Sequence, residues 1–241
     1  MKKLLRILYQ PYKWFVFGPF IVSTTFLCGG LAVLSATLAE PRYASIFGVI
    51  WARLNSLATP MVVETRGKEN ISKTQSYVIV SNHQSQYDIF VLYGWLGIDF
   101  KWVMKQELRK VPALGIACEK IGHIFIDRSN TAAALDSIND AKSKIVNGTS
   151  VIFFPEGTRS TDGNLGNFKK GAFKMALDLR IPILPVTISG TRAIFPTKSL
   201  DLFPGRACMT IHPPIDISGY NNENIQTLMA KTRDIIASVP R

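Results

Sequence analysis

The sequence predicts an α/β fold, a layered mixed sheet flanked by helices, with an N-terminal membrane-embedded helical anchor. Three observations carry this. Short apolar runs recur along the chain and alternate with helical patterns, the order expected of a layered α/β domain. Polar motifs follow several of these runs directly, as ligand loops do at the carboxyl ends of strands in open sheets. No charged residue occurs from Trp14 to Ala39, a stretch long enough to cross a bilayer. These features place the anchor in residues 1–63 and the α/β domain in residues 64–241.

A chain of 241 residues suffices for one good-sized domain with an ample core. The net charge of +11 and the pI near 9.7 require an anionic partner: nucleic acid, a lipid surface or a phosphorylated substrate. Hydrophobic content of 47% favours the membrane. No Lys/Arg-rich block with interleaved aromatics, zinc signature or RNA-recognition signature supports nucleic acid. Cys28, Cys118 and Cys208 are far apart and odd in number, so no disulfide framework or metal pattern is legible. That usage fits a reducing compartment.

Three readings compete for the N-terminus, where Lys2, Lys3, Arg6 and Lys13 precede the uncharged stretch. A signal peptide cleaved at Thr37-Leu38-Ala39 needs a shorter apolar region. A single spanning helix would send the large basic remainder across the membrane. The favoured reading is a hairpin or in-plane anchor with both ends on the cytoplasmic side. Gly18-Pro19 and Gly29-Gly30 are its expected turning points, and Tyr43 to Val63 reads as its return arm or as an interfacial helix.

Glu64 to Gln75 reads as a boundary and edge hairpin. Tyr77 to Val80 is a buried strand, followed by the polar octet Ser81 to Asp88. His83 is suited to general-base work, and Asp88 to holding one of its ring nitrogens, provided His83 sits in a turn and Asp88 in the first turn of a helix. The same spacing fits a loop His beside a helix-capping Asp. Ile89 to Leu96 is a buried helix. Phe100 to Lys105 is a strand whose terminal Lys105 is either solvated or aimed at an anion. Pro112 to Cys118 is a short helix, and Gly122 to Arg128 a short strand ending in charge. Asn130 caps a helix over Thr131 to Val146, which Asn147-Gly148 stops. Ser150 to Phe154 is a strand interrupted by Pro155-Glu156-Gly157-Thr158-Arg159. Phe168 to Leu179 is a helix, Ile183 to Ile188 a strand, and Cys208 to Ile211 the strand that closes the sheet. A polar helix from Glu223 to Ser238 packs outside.

Three polar motifs thus follow three apolar strands: His83 with Asp88, Asp127-Arg128, and Glu156 to Arg159. Arginine presents a planar fork suited to phosphate oxygens, and Gly157 permits close backbone approach. Taken singly, Asp127-Arg128 and Glu156 with Arg159 read equally well as surface ion pairs. His123 and His212 read as structural.

With these residues in view, the chain resembles the glycerolipid acyltransferase family. Four blocks appear in the family's order: Asn82-His83-Gln84-Ser85-Gln86-Tyr87-Asp88, Gly122 to Arg128, Phe154 to Ser160, and Ile181-Pro182-Ile183-Leu184-Pro185-Val186. The resemblance as a whole covers about residues 64–217. The fourth block begins with Ile181 where valine is frequent, a minor change in an apolar strand.

The resemblance implies transfer of an acyl group from acyl-CoA or acyl-carrier protein to the free sn-2 hydroxyl of a lysophosphatidic acid, without an acyl-enzyme. It implies His83 as base and Asp88 as its orienter. Arg128, Glu156, Gly157, Thr158 and Arg159 would form the acceptor site, with Lys105 a candidate second cation for the phosphate. It implies no metal and no cofactor beyond the thioester co-substrate. The expected location is a bacterial inner membrane, with the catalytic domain facing the cytoplasm. Rival expectations are another acceptor, such as a lyso-ornithine lipid or a lysophospholipid, a non-catalytic lipid-binding protein on the same fold, or a hydrolase.

Overall fold

The computed structural model describes residues 7, 9–39, 41–127, 142, 145 and 147–239. Among the described residues, seven strands make one sheet: β1 (Met61–Arg66), β2 (Val78–Ser81), β3 (Phe100–Lys105), β4 (Ile124–Ile126), β5 (Ser150–Phe153), β6 (Ile183–Ser189) and β7 (Gly205–Ile211). Their order is β1-β7-β6-β2-β5-β3-β4. Every pairing is parallel except β6 with β7, so the sheet is mixed, as expected. The central strand is β2, flanked by β5 and β6, and all three end on the same edge. The loops that leave them are therefore neighbours. This is why motifs about seventy and a hundred residues apart in sequence can meet.

The central strands β2, β5 and β6 are buried on both faces, so they read as nearly continuous apolar runs. Ile79, Ile152, Leu184 and Ile188 face one core and Val78, Val80, Val151 and Ile183 the other, following the strand's period of two. Helix α3 (Asp88–Trp95) covers the first face, with α2 (Pro41–Ala58) behind it. The amphipathic α5 (Gly171–Leu179) and α7 (Ile225–Ala237) cover the second, through Phe173, Met175, Leu228 and Ile236. The remaining helices are α1 (Gly18–Leu38), α4 (Leu114–Ile121) and the single turn α6 (Thr191–Ile194).

Three expectations are corrected. First, the polar stretch from Glu64 is not an edge hairpin. β1 pairs parallel with β7, from Met61↔Gly205 to Arg66↔Thr210, and a boundary at 63/64 falls inside that strand. Second, β7 does not close the sheet, because β1 lies outside it. Third, neither glycine pair turns the anchor. The helix runs on from Tyr9 to Leu38 through a π-helical stretch, Lys13–Phe17. Pro19 directly follows that π-helical stretch, where the regular helical hydrogen-bond ladder is already interrupted. Gly29 lies where α1 packs beside Ala113 and α4, with room for a Cβ at ordinary contact distance from Ala113 and Ala117. The reversal comes at Ala39, whose backbone is extended, and α2 packs back along α1. The helix expected over 131–146, with its cap at Asn130, lies outside the described residues.

The anchor is locked to the domain. Lys13 is buried and its Nζ donates to Leu200 O at 2.6 Å. Arg53 Nε donates to Gly94 O at 2.9 Å, and the hydroxyls of Thr59 and Tyr87 lie 2.7 Å apart. Away from the domain, the hairpin exposes Phe15, Phe26, Leu27, Leu38 and Leu57.

Candidate active site

The apolar run of β2 ends in a loop whose polar side chains are mostly buried, and each buried one has a partner, as burial requires. The Asn82 amide is paired with the backbone of Ile188 in both directions: its Nδ2 donates to Ile188 O at 2.9 Å, and its Oδ1 accepts from Ile188 N at 2.7 Å. Gln84 Nε2 donates to the same carbonyl at 3.1 Å, and Ser85 Oγ to Phe195 O at 2.7 Å. The octet is thus fastened to β6 and the segment after it. Residue 88 opens α3, so the helix sets the direction of the carboxylate.

His83 Nδ1 lies 2.8 Å from Asp88 Oδ2. The same oxygen accepts the backbone N–H groups of Gln84 at 2.7 Å and Ser85 at 2.9 Å. The other, Oδ1, accepts the hydroxyl of Thr191 at 2.5 Å. Asp88 is fully buried, and four donors compensate a charge that burial alone would make costly. An ionised carboxylate only accepts, so the proton shared with Asp88 belongs to Nδ1. His83 Nε2 is left as a proton acceptor. The ring lies flat against Phe154, the residue that follows β5.

The loop after β5 holds His83 from its other side. Glu156 Oε1 accepts the backbone N–H of His83 at 2.9 Å, and Oε2 accepts that of Gly166 at 2.8 Å. Ser160 N donates to His83 O at 2.8 Å. Both backbone groups of the histidine are therefore fixed by the third sequence motif. Gly157 has φ of +75°, and a Cβ there would stand 3.0 Å from Lys169 Nζ. This turn accordingly favours glycine.

The expected site residues divide as follows. His83, Asp88 and Glu156 converge directly, with Glu156 bracing the histidine loop. Gly157 forms the turn next to them, Thr158 and Arg159 are exposed on it, and Arg159 Nη1 donates to Gln86 Oε1 at 3.3 Å. Lys105 stands on the same edge of the sheet, two strands from β2, in an exposed ion pair with Glu107 at 2.6 Å. Arg128 lies outside the described residues. Thr191 and Phe154 were missed as site-forming residues. A signal for Thr191 existed: Gly190-Thr191-Arg192 is another polar motif directly after an apolar strand.

His123 is buried, its Nε2 2.8 Å from the Tyr93 hydroxyl, and its Nδ1 accepts Trp102 N–H at 3.3 Å. Burial, with help from the Lys101 charge, pushes it down to about 3. His212 Nε2 lies 2.9 Å from Thr187 Oγ1. Both are structural, as the sequence suggested. Among the described residues, no three His, Cys, Asp or Glu side chains converge as a metal site would need.

With this geometry in hand, similarity to known proteins can be weighed. The family model described as Acyltransferase matches residues 62–189. The chain is 37% identical over 176 residues to the chloroplastic 1-acyl-sn-glycerol-3-phosphate acyltransferase BAT2 of Brassica napus, covering 72% of this chain and 51% of that protein. It thus spans about half the length of that relative. It is 32% identical to the 1-acyl-sn-glycerol-3-phosphate acyltransferase of Limnanthes alba, over 96% of this chain and 83% of that one. In structure it is similar to the 1-acyl-sn-glycerophosphate (LPA) acyltransferase PlsC of Thermotoga maritima. The TM-score is 0.79 at 26% identity, over 99% of this chain and 97% of that one.

Proposed function

The chain belongs to the acyltransferase family, and from that premise we propose that it transfers a fatty acyl group from an acyl thioester to the sn-2 hydroxyl of lysophosphatidic acid, giving phosphatidic acid. One observation carries the reading: His83 Nδ1 is held 2.8 Å from Asp88, whose carboxylate also accepts the Gln84 and Ser85 N–H groups and the Thr191 hydroxyl, so Nε2 is left to take a proton.

In the proposed reaction the acceptor hydroxyl attacks the thioester carbonyl while His83 Nε2 takes its proton. Asp88 stabilises the imidazolium that forms. Collapse of the tetrahedral intermediate breaks the C–S bond, and the imidazolium proton passes to the leaving thiolate. The thioester supplies the leaving group, so no acyl-enzyme, metal or further cofactor enters; the donor is acyl-CoA or acyl-carrier protein. Glu156 and Ser160 keep the histidine in place.

Arg159 supports an anionic acceptor. It is exposed beside the histidine loop, and its partner among the described residues is the neutral Gln86 rather than a carboxylate. Its fork is therefore available to a phosphate. We assign Lys105, Arg128 and the backbone at Gly157 and Thr158 to the same acceptor region. The apolar face of the hairpin supports a membrane-embedded anchor that does not pass the domain across the bilayer, and the basic surface suits anionic lipid. The reading places the enzyme at the inner membrane of a bacterium, with the domain on the cytoplasmic side.

The test is acyl transfer from palmitoyl-CoA by detergent-purified protein, offered lysophosphatidic acid, a lyso-ornithine lipid, or water alone. Phosphatidic acid formed in clear preference supports the reading. Product from the ornithine lipid alone, or free fatty acid alone, overturns it.

A further inference from the structure

The carboxylate of Asp88 is oriented from a part of the chain that the acyl-transfer chemistry does not otherwise use. Thr191 is fully buried, and among the described residues it is the donor that reaches Asp88 Oδ1, at 2.5 Å. Gly190 delivers it there. Its φ is +84°, and Arg206 O lies 2.2 Å from where a Cβ would stand, so the turn out of β6 admits glycine alone. The other carboxylate oxygen carries His83, Gln84 and Ser85. Without the Thr191 hydroxyl, Oδ1 would be a buried acceptor with no donor among the described residues, and the carboxylate would be held through Oδ2 alone.

We propose that Thr191 is a positioning residue for acyl transfer: its hydroxyl fixes the rotation of the Asp88 carboxylate and, through it, the ring of His83. The inference rests on the reading of His83 as the base. A donor to the charged form of a carboxylate favours that form. Removing it raises the proton affinity of the coupled His83–Asp88 pair, whose titration belongs to both groups. The base must be neutral to act, so the acid limb of the pH profile moves to higher pH.

The other ionisable groups around the pair are held elsewhere. Glu156 accepts the His83 and Gly166 backbone N–H groups. Arg159 donates to Gln86, and the Tyr87 hydroxyl pairs with Thr59. Arg192 donates to Thr161 O and Asp162 O, both at 2.6 Å. Lys198, on the loop that holds Gln84 and Ser85, is exposed. None of these contacts involves the Thr191 side chain.

The experiment compares full-length wild type, Thr191→Val, which keeps the volume, and Thr191→Ser, which keeps the hydroxyl. Two pH profiles are read: kcat/KM for acyl transfer, and the rate of His83 carbethoxylation by diethyl pyrocarbonate, with His83→Ala as the blank for other histidines. We expect Thr191→Val to lower kcat about tenfold or more, with the acceptor KM nearly unchanged. Both of its profiles should move to higher pH. Thr191→Ser should stay near wild type. Equal losses in both variants, or a His83 profile that does not move in Thr191→Val, overturn the proposal. If wild type transfers no acyl group, the functional reading falls, while the carbethoxylation profile still decides the coupling of Thr191 to His83.

Discussion

The imidazole of His83 lies flat on the ring of Phe154, with centroids 3.8 Å apart and planes 10° apart. Phe154 is backed in turn by Trp102, at 5.9 Å and 29°. The histidine is thereby constrained twice, by Asp88 at its edge and by an aromatic stack on its face. A stack of this kind contributes about 0.5–1.5 kcal/mol beyond its buried area. Phe154→Leu keeps an apolar neighbour but removes the flat surface, so kcat should fall about twofold to tenfold. Steady-state kinetics at saturating donor and acceptor check this, with Phe154→Tyr as the control expected to stay near wild type.

Asp88→Asn tests the carboxylate itself. An amide presents one oxygen and an NH2 group where four donors converge, so it meets them with fewer acceptors and favours the wrong histidine tautomer. By analogy with the orienting carboxylate of serine hydrolase triads, kcat should fall on the order of 10⁴-fold. Single-turnover assays beside a thermal melt separate this loss from unfolding.

Glu156 and Arg159 sit three residues apart and should fail differently. Glu156→Gln retains one oxygen for two backbone donors, so the loop that carries His83 loosens and kcat falls with little change in acceptor KM. Arg159→Ala should raise the acceptor KM about tenfold or more while kcat changes little, the pattern of lost ground-state binding. Acceptor saturation curves for the two variants make the comparison. An unchanged KM in Arg159→Ala removes that residue from the phosphate site.

His123 gives the fold an acid sensitivity separate from catalysis. Its pKa is pushed from about 6.5 in the unfolded chain down to about 3 by burial and by Lys101. Between those values the unfolded state binds the extra proton. Stability is therefore full above about pH 6.5 and lost as pH falls towards 3, by up to about 1.4 kcal/mol per pH unit. Melting or denaturant curves from pH 4 to 7 should show that slope in wild type and a shallower one in His123→Gln.

Much of this arrangement was legible in the chain. Each strand from Tyr77 onward announced itself as a short apolar run, and Asp88 five residues after His83 implied a turn entering a helix, as found. What stayed hidden was decided at long range. Met61 pairs with Gly205, and nothing local to the stretch from Met61 distinguishes a parallel edge strand from a hairpin arm. The glycine pairs in the anchor looked like breakpoints because local preference opposes them in a helix. Packing of the whole of α1 against α2 and α4 outweighs that preference. The contact of Thr191 with Asp88 and that of Glu156 with the His83 backbone arise because β2 lies between β5 and β6. That order emerges only from the folded sheet.

The most direct test of the central claim is phosphatidic acid formation from palmitoyl-CoA and lysophosphatidic acid by wild type and His83→Ala at matched protein and detergent, with melting curves for both. The account predicts turnover by wild type and none above background in His83→Ala, at an unchanged melting temperature. Turnover by His83→Ala close to that of wild type would contradict it.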